Sequence, residues 1–207
     1  MRSLFVALIT LVALTVASSP AQAGFVYGFD SSSYSSGGGA SVTVSVYLIE
    51  TDSNGTLQSQ GLFSGGVSLN NSNTSIATVT NITPNSGFAN NTSNYSGNPA
   101  ILSANNAGNN SIVYPNPSTP NEILLGTFTF TPIANGTITI TANNISPSFS
   151  NNVTGTFQDL TPLITGGETA TITVTAVPEP GSMILGGMLA TGIAGGYLRR
   201  RRLAVRA

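Results

Sequence analysis

The sequence predicts an all-β protein, an antiparallel β-sandwich flanked by an N-terminal signal helix and a C-terminal transmembrane helix. Three observations lead there. Apolar residues alternate with hydroxyl residues at period two in SVTVSVYLI (41–49), GTFTFT (126–131), GTITIT (136–141) and TATITVT (169–175). Such alternation marks strands with one buried face. Clusters of Gly, Asn, Pro and Ser separate these runs, as turns require. Between residues 24 and 177 no stretch carries a 3.6-residue apolar period.

In chain order, Arg2 precedes an apolar run, 4–16, broken only by Thr10 and Thr15. Ser18, Ser19 and Pro20 then lead into Ala21-Gln22-Ala23. A positive start, a short apolar core and a small-x-small triplet make a secretory signal peptide over 1–23. Signal peptidase is expected to cut after Ala23, leaving Gly24 first. Residues 24–39, Ser/Gly-rich from 31 onward, read as a flexible lead-in, with the sandwich domain over 40–176.

Beyond the four alternating runs, strands are expected at 66–69, 76–83, 111–114, 123–125 and 153–157, giving about eight short strands once contiguous runs are merged. Asn54-Gly55 and Asn135-Gly136 each offer the positive φ of a tight hairpin. The second is expected to join 127–131 to 137–141. Phe128 and Phe130 would then share a buried face with Ile138 and Ile140, and six threonines would form two rows opposite. Residues 84–110 read as a surface excursion with one short strand at 100–103.

The C-terminus holds sixteen uncharged residues, 183–198. As a helix they would span ~24 Å, short of the ~30 Å hydrocarbon core. Five of them are glycines, each costing about 1 kcal/mol of helix propensity relative to alanine. Tyr197 and the block Arg199, Arg200, Arg201 and Arg202 supply an interfacial and cytoplasmic anchor. The segment therefore reads as a temporary stop in the membrane. Ahead of it, Val177-Pro178-Glu179-Pro180 stays extended because proline disfavours helix in itself and in the residue before it. Motif, weak helix and terminal arginines in that order resemble the PEP-CTERM sorting signal of bacterial exported proteins, over residues 177–207. The resemblance implies handling by an exosortase, a membrane-embedded transpeptidase, with the Pro178-Glu179-Pro180 core presented at the outer membrane face. A plain C-terminal tail anchor is the alternative.

Composition restricts the body between the signals. All six basic residues lie outside 24–177, whereas Asp30, Glu50, Asp52, Glu122, Asp159 and Glu168 lie inside it. A body near −6 has no cation to displace counterions from phosphate, so nucleic acid is excluded as a partner. There is no histidine, lysine, cysteine or tryptophan. The usual bases and thiol nucleophiles are thus missing, and no G-x-S-x-G elbow appears. Scattered carboxylates, Glu122 among them, show no spacing that selects a glycosidase pair. The expectation is a non-enzyme with no catalytic, cofactor-binding or metal-binding residue. Glu50, Asp52, Asn54 and Gly55 mimic the first half of a calcium loop, yet its twelfth position is Gly61 where a bidentate acid belongs.

Gly65-Gly66-Val67-Ser68-Leu69, Ile76-Ala77-Thr78-Val79, 125–130 and 136–140 resemble the cohesin-like and carbohydrate-binding β-sandwich superfamily. That resemblance implies a cohesin-like or jelly-roll sandwich and leaves function open. The expected role is structural or adhesive at the cell surface or in the extracellular matrix, within an exopolysaccharide envelope, after a transient membrane intermediate. One alternative is a carbohydrate-binding module stacking polysaccharide on Tyr34, Tyr95 or Tyr114. Another is ice binding by the Thr-x-Thr strands, Thr129 and Thr139 at their centre. Eleven Asn-x-Ser/Thr sequons, Asn152 among them, leave glycosylation open.

Overall fold

The computed structural model describes residues 24–175, apart from 53, 89, 90, 93, 108–110 and 146–151. The expected signal peptide (1–23), the expected sorting motif (177–180), the apolar segment 183–198 and the arginines 199–202 lie outside the described residues.

The elements are β1 (Phe25–Phe29), β2 (Ser33–Gly37), β3 (Val42–Glu50), α1 (Thr56–Gln60), β4 (Leu62–Asn71), β5 (Ala77–Pro84) and β6 (Asn91–Thr92). They continue as β7 (Ala100–Asn105), β8 (Glu122–Pro132), β9 (Gly136–Asn143), β10 (Val153–Thr154), β11 (Ile164–Gly167) and β12 (Thr169–Thr175). One sheet runs β11-β1-β3-β8-β5. The other runs β2-β12-β9-β4-β7-β6, with β10 also pairing β4. Period-two alternation turns the valines of β3 inward, so Val44, Val46 and Leu48 are fully buried while Thr43 is exposed. Each such side chain contributes roughly 1.5–3 kcal/mol on burial.

Several expectations change. The sandwich is not purely antiparallel: β1 pairs β11 in parallel, and so does β2 with β12. The cause is a shared crossing. The chain passes from the first sheet to the second between β1 and β2, and again between β11 and β12, in the same sense. The flexible lead-in is likewise corrected. Phe25 and Tyr27 are fully buried, and the Ser/Gly-rich stretch becomes β2 because β12 offers it a ladder from Ser33 to Gly37.

The Asn135-Gly136 turn does not close a hairpin. β8 pairs β3 and β5, whereas β9 pairs β12 and β4, so the turn carries the chain from one sheet to the other. Phe128, Phe130, Ile138 and Ile140 do meet in one core, approaching it from opposite sheets. Their threonines consequently lie on opposite outer faces. Asn54-Gly55 closes no hairpin either. Gly55 adopts the left-handed conformation, φ 67°, and opens α1, which is anchored by fully buried Leu57. A helix of five residues is too short to show a period. Of the strand expected at 111–114 only a bridge between Val113 and Leu62 forms, and 153–157 shortens to β10.

In β8 the buried side chains are Ile123 and Leu125, then Phe128 and Phe130, with buried Gly126 at the step where the alternation skips one residue. A bulge opposite Val46 and Tyr47 absorbs the skip: Val46 faces Gly126 and Tyr47 faces Leu124. That bulge shapes the outer face described next.

Candidate functional site

Alternation that sends Val44, Val46 and Leu48 inward sends Tyr47 outward, next to Leu124 across the ladder. Glu122 faces Ile49 one step further along. The connection from β7 to β8 is held to β4 by two hydrogen bonds: Leu62 N–H donates to the Val113 carbonyl (2.7 Å), and Val113 N–H donates to the Leu62 carbonyl (2.8 Å). From there it brings Tyr114, Pro115, Asn116 and Pro117 to the same outer face. The result is a groove of about 600 Å³, lined by Tyr47, Tyr114, Asn116, Glu122 and Leu124 among others.

Local chemistry holds this loop. Prolines 115 and 117 fix two backbone φ angles. Asn116 Oδ1 accepts from Ser118 N–H (3.0 Å), and the Asn116 carbonyl accepts from Thr119 N–H (2.9 Å). Gly61, φ 61°, lies beneath: a Cβ there would meet the Val113 carbonyl oxygen at 2.7 Å and the Tyr114 ring at 3.1 Å. Tyr114 is 56% exposed, and the Glu122 carboxylate makes no hydrogen bond to a described residue. Glu122 is the single acid among the lining residues. A glycosidase pair needs two carboxyls within about 5–10 Å of each other, and this groove supplies one.

A second, more apolar groove of about 330 Å³ is lined by Phe63, Ala104, Val153 and Phe157. The Phe63 and Phe157 rings pack at 5.2 Å and 54°. Phe157 is 71% exposed and sits at φ 64°, a sparsely populated conformation for a residue with a Cβ.

The three tyrosines singled out in the sequence do not form one platform. Tyr34 is half-buried, and its hydroxyl donates to Asp30 Oδ1 at 2.5 Å. Tyr95 is exposed and bridges Ile101. Tyr114 alone lines the larger groove, with Tyr47 as the aromatic that sequence reasoning passed over. Its signal was present: Tyr47 sits on the outward parity of SVTVSVYLI.

Glu50 and Asp52, the two acids of the calcium-loop mimic, are committed elsewhere in the fold. Glu50 is buried, and its two oxygens accept from Thr56 N–H (2.7 Å) and Leu57 N–H (3.0 Å). Asp52 accepts from Gly24 N–H (3.2 Å) and from the backbone and side chain of Asn54. Among the described residues no cluster of acids suits a metal ion. The two-row array of six threonines is also corrected, since Thr129 and Thr139 belong to different sheets. Instead Thr141, Thr139 and Thr137 of β9 pair with Thr169, Thr171 and Thr173 of β12. On the other face Thr80 and Thr131 hydroxyls meet at 2.8 Å. Asn152 is fully buried and bonded to both backbone groups of Gly66, so the folded chain offers no glycosylation acceptor there.

No protein-family model and no curated protein matches the chain. Among solved structures, it is similar to the second type II cohesin module of the cellulosomal adaptor ScaA scaffoldin of Acetivibrio cellulolyticus. The identity is 8% and the TM-score 0.44, covering 73% of this chain and 97% of that one. A type II cohesin domain from the cellulosome of the same organism gives 12% and 0.42, over 72% and 94%. Toxic shock syndrome toxin-1 gives 14% and 0.26, over 73% and 100%.

Proposed function

We propose that this chain is an exported, non-catalytic surface or matrix protein whose β-sandwich serves a structural, adhesive role. The observation that carries the reading is the character of both outer faces. Each presents rows of Thr, Ser and Asn without a cation, and the only formal charges in the described body are acids. Such a surface is hydrated, non-basic and dense in hydrogen-bonding groups, which suits contact with polysaccharide and not with nucleic acid.

The two chain ends supply the route. Signal peptidase removes 1–23 by cleavage after Ala23, the weak apolar segment 183–198 and Arg199, Arg200, Arg201 and Arg202 hold the intermediate in the membrane, and an exosortase acts at Pro178-Glu179-Pro180. Cleavage after Ala23 has a structural consequence. The Gly24 nitrogen, 3.2 Å from Asp52 Oδ2, becomes an ammonium, so an ion pair is created by processing. The pair is worth about 0–1 kcal/mol at a surface. The threonine array expected for ice binding is not formed, because the fold places Thr127, Thr129 and Thr131 on one outer face and Thr137, Thr139 and Thr141 on the other, where they pair with β12.

The test is cell fractionation of a Pro178→Ala plus Pro180→Ala variant in its native host. The variant is expected to accumulate in the membrane while wild type reaches the surface or medium. Equal release of both would contradict sorting at this motif.

A further inference from the structure

We propose that the groove between Tyr47, Tyr114 and Glu122 binds a neutral, hydroxyl-rich glycan, which deepens the adhesive reading above by naming its ligand. The groove offers what a sugar ring asks for. Pyranose rings have apolar C–H faces that stack on an aromatic ring, with hydroxyls around the edge. Tyr114 presents a half-exposed ring held by a proline-framed loop, and Tyr47 lines the wall beside Leu124. Glu122 supplies two acceptor oxygens that no described residue occupies. Asn116 commits its Oδ1 to Ser118, which leaves its Nδ2 donor without a partner among the described residues. A volume of about 600 Å³ falls within the ordinary range for ligand clefts.

Two competing occupants fit less well. An extended peptide gains affinity by adding a strand to a free sheet edge. β3 lies between β1 and β8, and beside the groove, where β8 runs past the end of its ladder with β5, Asn85 takes two carbonyls of β8: its N–H donates to Leu125 (2.9 Å) and its Nδ2 to Leu124 (2.8 Å), so no continuous strand edge is offered. A polyanion, whether sulfated, phosphorylated or uronic, would meet Glu122 with no basic residue anywhere between 24 and 177. What remains is an uncharged ligand recognised by ring faces and hydroxyls. The Phe63–Phe157 groove lacks a carboxylate and a phenol among its lining residues, and serves as the internal control.

The experiment uses the full chain expressed in a bacterial host that exports it, recovered in whatever processed form results. Binding is read by affinity electrophoresis in dextran, a mixed-linkage β-glucan and galactomannan, with dextran sulfate as the charged comparator. Tyrosine emission gives a second signal, since the chain has no tryptophan. Retardation is expected in at least one neutral polymer and not in dextran sulfate. Tyr114→Ala should weaken binding about tenfold or more, and Tyr114→Phe, which keeps the ring, by about twofold at most. Glu122→Gln should weaken it about threefold or more, whereas Phe157→Ala should leave it unchanged. No retardation of the wild type in any of the three neutral polymers overturns the proposal. So does equal retention in dextran sulfate, or binding indifferent to Tyr114→Ala and Glu122→Gln. The mass of the same sample reports processing separately. Non-binding protein in any processed form defeats the groove alone, and the export route is decided separately by the fractionation in the native host.

Discussion

Two tyrosines make the body sensitive to alkali in a way that can be assigned. Burial raises the Tyr27 phenol well above its usual range, partly offset by the hydrogen bond from Asn152 Nδ2 (2.8 Å). Tyr34 is raised first by burial, then by its hydrogen bond to Asp30 and by that carboxylate's charge. In both cases the fold favours the neutral phenol. Stability is therefore complete below the unfolded tyrosine value of about 10, and falls as pH rises above it, because the unfolded chain then releases protons that the native chain keeps. With no lysine or cysteine in the sequence, few other groups titrate there. Urea midpoints are expected to fall above about pH 10 and to fall less steeply in Tyr34→Phe. A flat midpoint well beyond that pH would contradict the account. Residues of this kind were illegible beforehand. Nothing around Asn152 announces that its side chain bonds both backbone groups of Gly66 and the Tyr27 hydroxyl, since these contacts span 86 and 125 positions.

Among the elements, the alternating strands were legible and their partners were not. GTFTFT and GTITIT are strands, as their period requires, but period alone does not say whether successive strands pair or face each other across a core. Tyr47 shows the same limit: its outward parity was readable, while its meeting with Tyr114 depended on the Val113–Leu62 bridge. The short helix α1 illustrates a different limit. α1 is too short to be stable alone and exists because Glu50, arriving at the end of β3, accepts two of its N–H groups. Glu50→Ala leaves both donors without that acceptor and is expected to cost about 1–3 kcal/mol in urea unfolding. A loss under about 0.5 kcal/mol, the range of ordinary surface changes, would show that the cap contributes little.

At the scale of the whole molecule, the paired crossings at the two ends of the body matter most. β1 and β2 run alongside β11 and β12, so the first and last strands brace one another across both sheets. The body thereby closes on itself between Gly24 and Thr175, and the segments we propose are removed lie on either side of it in the chain. Among the described residues no helix is long and apolar enough to cross a membrane, so a membrane stage rests on the tail. The account as a whole depends on a body that sheds both of its addresses. Intact mass spectrometry of the protein from its native cells tests this directly. The predicted species begins at Gly24 and ends at or near Pro178-Glu179-Pro180; a species that still carries Met1, or Arg199 to Arg202, would contradict it.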